Sequence, residues 1–153
     1  MTWTGYLELA DRSWPVLRQA VRLHHIAYRA SNGLIGHRIP GLPPMLLLHH
    51  TGARSGVERT AVLLYVEDGP DLVIVASKGG HPRHPAWFHN LRANPDTTVQ
   101  VGSSRRSVRA RVASAAERTR LWPRVVDAYR GYEDYQRRTG REIPLVILEP
   151  RAA

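Results

Sequence analysis

Apolar residues recur along this chain with two different spacings, and the change of spacing divides the chain in two. Between residues 14 and 30 they recur at steps of three and four, which is typical of an amphipathic helix. Ser13 is placed to cap this helix, and Pro15 fits its first turn. Residues 31–44 hold three glycines and three prolines and are therefore predicted to form an irregular connector.

From residue 45 onward the apolar runs are short and bounded by turn residues, as in β-strands. Turns are predicted at residues 68–71 and 102–104, so that the strands around them form hairpins. After the second turn, Val108, Ala110 and Val112 share one face and arginines the other, which predicts one core face and one wet face. The predicted strands are Met45–His50, Glu58–Glu67, Leu72–Ser77, Thr97–Val101, Arg105–Ala113 and Ile143–Leu148.

Three further helices are predicted among these strands. One is short and begins at Pro85. Another is capped by Ser114, with Glu117 completing a capping box, and Pro123 should kink or restart it. The last covers Tyr132–Arg138. Because strands and helices do not alternate strictly, the pattern favours a small, mostly antiparallel barrel of about six strands with peripheral helices, in the α+β or mostly-β class.

With 153 residues, 42% of them hydrophobic, the chain fits one structural domain. We expect residues 1–44 to form its N-terminal helix and connector, and residues 45–153 its barrel. The absence of cysteine excludes disulfides and thiolate metal sites. No apolar run approaches the roughly 18 residues of a membrane span, and charges interrupt the first 30 residues. We therefore expect a soluble, cytoplasmic protein, with a peripheral membrane contact through the amphipathic helix left open.

The net charge of +9 favours anionic partners, namely nucleic acid, an anionic membrane surface or a polyanionic small molecule. The alternative is that the arginines only solvate the surface. Aromatic residues lie mostly outside the arginine-rich strand, so we predict no nucleic-acid partner. The eight histidines lack a carboxylate or cysteine cluster at ligand spacing, and we predict no metal site.

Two glycine-flanked basic turns are the main candidates for a binding site. The first basic turn is Thr51–Gly56, followed by Arg59, and the second basic turn is Ala76–Gly80. Small residues, backbone N–H groups and a cation at a strand end form a known way to hold a phosphate or carboxylate. Lys78, in the second turn, is the only lysine among 22 basic residues. Each turn alone is equally consistent with ordinary hairpin geometry, but the two together favour anion binding.

Aromatic residues suggest a pocket for a flat ring. Tyr129, Tyr132 and Tyr135 recur at three-residue spacing, and Trp87 precedes Phe88. Each group could form either a core stripe or a pocket wall that stacks on a ring and offers hydroxyl groups. The chain lacks a Gly-x-Ser-x-Gly elbow, paired carboxylates and a Ser/His/Asp order. If the protein is an enzyme, its reactive atom should therefore belong to a cofactor.

Three separated motifs closely resemble those of the deazaflavin-dependent nitroreductase family of actinobacteria. The motifs are LLLHHTGARSGVERTAVLLYVEDG, VASKGGHPRHPAWFHNLRANPDTTVQV and GYEDYQRRTGREIPLVILEP, and the resemblance covers about residues 45–150. It implies the split β-barrel, FMN-binding-like fold and coenzyme F420. It also implies an F420-dependent oxidoreductase that transfers hydride from the reduced deazaflavin to a quinone or a nitroaromatic-type acceptor.

The resemblance assigns roles to individual positions. Those that hold the cofactor's phosphate and acidic tail correspond to Arg54, Ser55, Gly56, Arg59 and Lys78. Ala76 also falls among the cofactor-binding positions, while Ser77, Gly79 and Trp87 fall where the family lines the deazaflavin ring. Tyr129, Tyr132 and Tyr135 match the tyrosines that shape the acceptor pocket, where they would orient the acceptor and donate a hydrogen bond or a proton. Two departures are Ala53, where many members carry a second basic residue, and Glu58, where proline is frequent.

Two alternatives to this function remain. The same barrel could use FMN, since both cofactors present a tricyclic ring and a phosphate. The protein could also bind F420 without catalysis. An edge strand or the N-terminal helix could further support a homodimer.

Overall fold

The computed structural model describes the backbone of residues 3–152 and the side chains of these residues except 3–14 and 17. Seven strands and four helices lie in this part of the chain, with a single 3₁₀ turn at Lys78–Gly80. The helices are α1 (Trp3–Ala30), α2 (Ala86–Ala93), α3 (Ala115–Ala128) and α4 (Gly131–Arg138). The strands are β1 (Met45–Thr51), β2 (Glu58–Leu64), β3 (Val66–Asp68), β4 (Asp71–Val75), β5 (Asp96–Val101), β6 (Ser104–Val112) and β7 (Leu145–Pro150).

All seven strands form one curled, half-barrel sheet in the order β2-β1-β5-β6-β7-β4-β3, and every neighbouring pair is antiparallel. The predicted mostly antiparallel barrel with peripheral helices is thus confirmed. Side chains alternate between the faces of a strand. On β4, Ile74 accordingly packs in a cluster with Phe88 of α2. The adjacent Val73 packs in a second cluster with Leu121 and Val125 of α3.

The sheet has seven strands instead of about six because one predicted strand is interrupted. The run Glu58–Glu67 breaks at Tyr65, whose N–H donates to the carbonyl of Pro44 in the connector at 3.2 Å. The last strand lies two residues later than the predicted Ile143–Leu148. Both predicted hairpins are present, with Asp68 opposite Asp71 and Val101 opposite Ser104.

One predicted core position on β6 is wrong. Val108 and Ala110 are buried as expected, but Val112 is 45% exposed. It lines an open cavity of about 210 Å³, together with Phe88 and Leu91, instead of the closed core.

The helices correct the sequence prediction at two prolines. α1 already begins at Trp3, so Ser13 does not start the helix, and Pro15 lies within it. Proline removes one N–H donor from a helix, and neither Pro15 nor Pro123 ends its helix here. The capping box of Ser114 and Glu117 is confirmed at the start of α3. No helix among residues 3–152 is long and apolar enough to cross a bilayer.

Tyr28 attaches α1 to the sheet. Its side chain is fully buried, and its hydroxyl lies 3.1 Å from the carbonyl of Gln100 and 3.3 Å from that of Met45. The same hydroxyl accepts from the N–H of Gly102 at 3.0 Å. Gly33, with φ +83°, lies so close to the Gly102 carbonyl that any Cβ would clash. The helix and the start of the connector are therefore fixed on the face of the sheet opposite to α2.

Candidate functional site

The first basic turn closes the hairpin between β1 and β2 with its own backbone. The N–H of Gly52 donates to Val57, and the N–H of Gly56 donates to Gly52, both at 2.9 Å. The N–H of Val57 donates to the Ser55 hydroxyl at 3.2 Å. Gly56 has φ +68°, a conformation that favours glycine. These three N–H groups are therefore used inside the turn, and the exposed side chain of Arg54 supplies its positive charge.

A buried asparagine connects this turn to α2. Oδ1 of Asn90 accepts the N–H of Ala53 at 2.9 Å. Its Nδ2 lies 3.0 Å from Nδ1 of His50, which is also buried. Since the first bond fixes the amide orientation, Nδ2 donates and Nδ1 of His50 accepts, so the neutral ring carries its proton on Nε2. Burial lowers the pKa of His50, and the nearby positive charge of Arg59 lowers it further.

An open cleft of about 580 Å³ lies beside the first basic turn, which we call the inner cleft. Arg59 is directly opposite His50 in the β1–β2 register, so both belong to the face that α2 covers. Arg54 and Arg59 are exposed and make no hydrogen bond or ion pair with the described side chains and backbone. Their charges are thus available to an anion in the cleft. The inner cleft is lined by Gly52, Ala53, Arg54, Ser55, Arg59, Ala86, His89 and Asn90.

The second basic turn is a tight 3₁₀ turn that packs against α4. Lys78, Gly79 and Gly80 all have positive φ, at +44°, +62° and +80°. A Cβ on Gly80 would lie 2.6 Å from the carbonyl oxygen of Tyr135, so glycine is required there. Lys78 is exposed at the tip of this turn.

Arg141 holds the second basic turn in place, and sequence reasoning missed it. Its guanidinium donates to the carbonyls of Ala76 (3.2 Å), Ser77 (2.8 Å) and His81 (2.9 Å). It also lies 3.0 Å from Nδ1 of His84, which accepts because arginine only donates. Burial lowers the pKa of Arg141. Arg141 lies within the third quoted motif, but nothing in its local sequence distinguishes it from a surface arginine between a glycine and a strand.

The three tyrosines meet where α3 ends and α4 begins. Their ring centroids are 5.0 to 6.2 Å apart, and the hydroxyls of Tyr129 and Tyr135 lie 3.2 Å from each other. Tyr132 is buried, and burial raises the pKa of its hydroxyl. The spacing that suggested one aromatic face therefore brings the rings together, although Tyr129 precedes α4.

The structure brings some predicted site residues together and separates others. Arg54, Ser55 and Arg59 line the inner cleft, whereas Lys78 and the tyrosines do not. His84, just before α2, lies 5.7 Å from His89 of α2 between ring centroids. Trp87 lies in the core cluster and is only 7% exposed. Asn90 lines the cleft and bonds His50 behind it, and although both residues lie within the quoted motifs, the sequence analysis assigned neither a role.

Comparisons with known proteins show which proteins this chain is similar to. A family model described as F420H(2)-dependent quinone reductase matches residues 20–150. The F420H(2)-dependent quinone reductase Rv1261c of Mycobacterium tuberculosis is 50% identical over 136 residues, which cover 87% of this chain and 91% of that protein.

Several solved structures are also similar to this chain. An F420-H2 dependent reductase, FDR-A, is 42% identical with a TM-score of 0.64, over 69% of this chain and 94% of that one. A structure described as a domain-swapped dimer is 36% identical with a TM-score of 0.67, over 91% and 99% of the two chains. HutZ, a heme storage protein of Vibrio cholerae, is 12% identical with a TM-score of 0.53, over 71% and 82%, and shares only the split-barrel fold.

Proposed function

Because this chain belongs to the F420H(2)-dependent quinone reductase family, we propose that the inner cleft holds the phosphate and acidic tail of coenzyme F420 during quinone reduction. The observation that carries this proposal is the pair Arg54 and Arg59, whose side chains face one open cleft without a partner among the described residues. When bound, reduced F420 supplies the hydride that the quinone accepts. Lys78 lies outside the lining of the inner cleft, and it would add a compact ammonium group to the same cofactor's phosphate or acidic tail from the second basic turn.

The residues around the inner cleft fit an anion. A carboxylate or phosphate forms its strongest hydrogen bonds with guanidinium groups, and often bidentate ones. Because its pKa is lowered, His50 is neutral at neutral pH and adds no charge to the cleft. Its hydrogen bond to Asn90 orients the amide that accepts the N–H of Ala53, and this fixes the position of the first basic turn. FMN also carries a phosphate, so this half of the site would accept either cofactor.

We assign the acceptor side to the tyrosines. Like any tyrosine, Tyr132 keeps its hydroxyl proton near neutral pH, and burial raises its pKa further, so the hydroxyl can donate a hydrogen bond to the acceptor. The paired hydroxyls of Tyr129 and Tyr135 would fix the orientation of the acceptor. A nitroaromatic compound offers similar acceptor oxygens and is the second acceptor class that we propose.

Cofactor choice is tested by titrating the purified protein separately with F420 and FMN and following fluorescence quenching. We expect F420 to bind more tightly, and reduced F420 to be consumed when menadione is added. Tight FMN binding without F420 binding would overturn the cofactor assignment. F420 binding without turnover over a broad acceptor panel would instead favour a non-catalytic binder.

Lys78→Ala tests the second basic turn. We expect F420 binding to weaken by about 1.5–3 kcal/mol, the contribution of a hydrogen bond to a charged group. Arg83→Ala is the matched control, since Arg83 is another exposed cation, three residues after the end of the turn, to which we assign no contact with the cofactor. If both variants lose the same amount of F420 binding free energy, Lys78 contributes only its share of the overall positive charge and makes no specific hydrogen bond to the cofactor.

Tyr132→Phe tests the acceptor side. Turnover with menadione should fall while F420 affinity stays nearly unchanged, because only a hydroxyl that acts on the acceptor is removed. Tyr65→Phe is the control, because Tyr65 is also buried and lies in the other core cluster. An unchanged rate with several quinones would remove Tyr132 from the reaction.

We also propose that α1 contacts a membrane surface. Val21, Leu23 and Ile26 are 52%, 65% and 54% exposed, next to the exposed arginines Arg18 and Arg22. Apolar side chains beside cations suit an anionic bilayer, where quinones are dissolved. Flotation with anionic vesicles should carry the wild-type protein and carry Leu23→Glu poorly. Binding that is equal in both variants, or dimerisation through this face instead, would contradict the proposal.

A further inference from the structure

A second polar cleft lies on the opposite face of the sheet from the inner cleft. Neighbouring residues of a strand point to opposite faces, so His49 lies on the face away from His50 and Asn90. His49 is directly opposite Thr60 on β2, and Thr60 contacts His25 of α1 through a hydrogen bond. This outer cleft has a volume of about 560 Å³. It is lined by Arg29, His49, Thr51, Glu58, Arg59, Thr60, Asp96, Thr97, Thr98 and Arg105.

His49 carries a polar atom that the protein leaves unused. Its Nε2 is buried and has no hydrogen-bond partner among the described residues. A buried polar atom without a partner costs about 1–3 kcal/mol, so such atoms usually meet a ligand or water. Burial lowers the pKa of the His49 ring, as do the positive charges of Arg105 and Arg29, so the ring is neutral and can donate a single N–H.

Three arginine side chains of this cleft make no hydrogen bond or ion pair with the described residues. They are those of Arg29, Arg105 and Arg59, and Arg59 also lines the inner cleft. Asp96, at the edge of the cleft, is shared by Arg109 and Arg151 at 3.5 Å each. Glu58 is the opposing charge that lacks such a partner in the described structure.

We propose that the outer cleft is a second anion site, on the opposite face of the sheet from the cofactor site although Arg59 lines both clefts, for a phosphate group held by Arg29, Arg105 and Nε2–H of His49. The hydroxyls of Thr51 and Thr98 lie in the same cleft and can donate to phosphate oxygens. The cleft is larger than a single phosphate, so the group could belong to free phosphate or to a phosphate monoester. Glu58 opposes the anion and limits its affinity.

The test titrates inorganic phosphate into the full chain and follows the ring resonances of His49 by NMR. The background is Arg54→Gln, because Arg54 lines only the inner cleft and its loss weakens phosphate binding there. We expect a saturable shift at His49. Arg105→Gln should raise the Kd about tenfold, as for the loss of one charged hydrogen bond.

Two variants give the matched comparison. Arg106→Gln removes the same charge from the next residue of β6, which is exposed and outside the cleft lining, and should leave the Kd nearly unchanged. Glu58→Gln should lower the Kd. The absence of saturable binding, or equal weakening by the Arg105 and Arg106 variants, would overturn the proposal. Tighter binding of glycerol phosphate than of inorganic phosphate would identify a monoester as the occupant, and equal binding would identify free phosphate.

Discussion

Asn90 joins the first basic turn to α2 with a single amide group. Asn90→Leu would leave Nδ1 of His50 without a partner in a buried place, and the half-buried N–H of Ala53 would lose its acceptor. We expect the free energy of unfolding to fall by about 1–3 kcal/mol and F420 to bind more weakly, because the turn loses its fixed position. Urea unfolding and fluorescence titration with F420 measure the two effects.

Asn94→Leu supplies the control for this prediction. Asn94 is exposed at the end of the same helix, and its amide reaches only the Thr51 carbonyl at 3.5 Å. Its replacement should change both quantities little. If the two asparagine variants bind F420 equally well, the position of the turn does not depend on Asn90.

At the residue scale, the sequence predicted the charged side chains of the basic turns, but it did not predict the side chains that fix the positions of these turns. Arg54 and Arg59 lie within a glycine-rich turn, where a local pattern reveals them. Asn90 acts on a residue 37 positions away, and Arg141 on carbonyls 60 to 65 positions away. Such contacts depend on the folded sheet, so no local spacing encodes them.

At the scale of whole elements, Tyr28 attaches helix α1 to the sheet through its hydroxyl. Tyr28→Phe removes a hydroxyl that bonds the carbonyl of Gln100 and the N–H of Gly102. We expect a loss of about 1–3 kcal/mol in the free energy of unfolding, because both backbone groups lose a buried partner. The amide of Gly102 should also exchange its hydrogen faster.

Tyr65→Phe again serves as the control for Tyr28. Tyr65 is equally buried, but its hydroxyl makes no hydrogen bond with the described residues. Its replacement should cost less. Equal stability of the two phenylalanine variants would show that the Tyr28 hydroxyl does not hold the helix to the sheet.

At the element scale, periodicity predicted which segments form strands and helices better than where they end. The hairpins at residues 68–71 and 102–104 were correct because turn residues are local signals. The break at Tyr65 arises from a bond to Pro44, and the exposure of Val112 from the cavity beside it. Both depend on distant parts of the chain.

Across the whole molecule, the sheet separates two cationic clefts. β1 contributes to both, since His50 borders the inner cleft through Asn90 and His49 lines the outer cleft. The net charge of +9 is thus partly concentrated on two opposite faces. Composition alone predicted an anionic partner, but it could not show that the charge is divided, since this division depends on strand register.

Because several histidine rings are buried or half-buried, the free energy of unfolding should depend on pH. The pKa values of His25, His49, His50 and His84 are all lowered from 6.5, in each case chiefly by burial. Below about pH 6.5 the unfolded chain therefore binds more protons than the folded one, and the free energy of unfolding falls as the pH decreases toward the folded pKa values. Above that pH the full stability is retained.

Urea unfolding at about pH 7.5 and about pH 5.5 measures this effect, with lower stability expected at the acidic pH. Asp68 does not confound the comparison. Arg120 and Arg124 hold its pKa at about 2, and its contribution to stability is lost only as the pH falls below 3.8. His50→Gln removes one titrating ring, so its stability should change less between the two conditions. Equal stability of the wild-type protein at both pH values would show that these rings are protonated in the fold without cost, which is incompatible with the burial of His50 against Asn90.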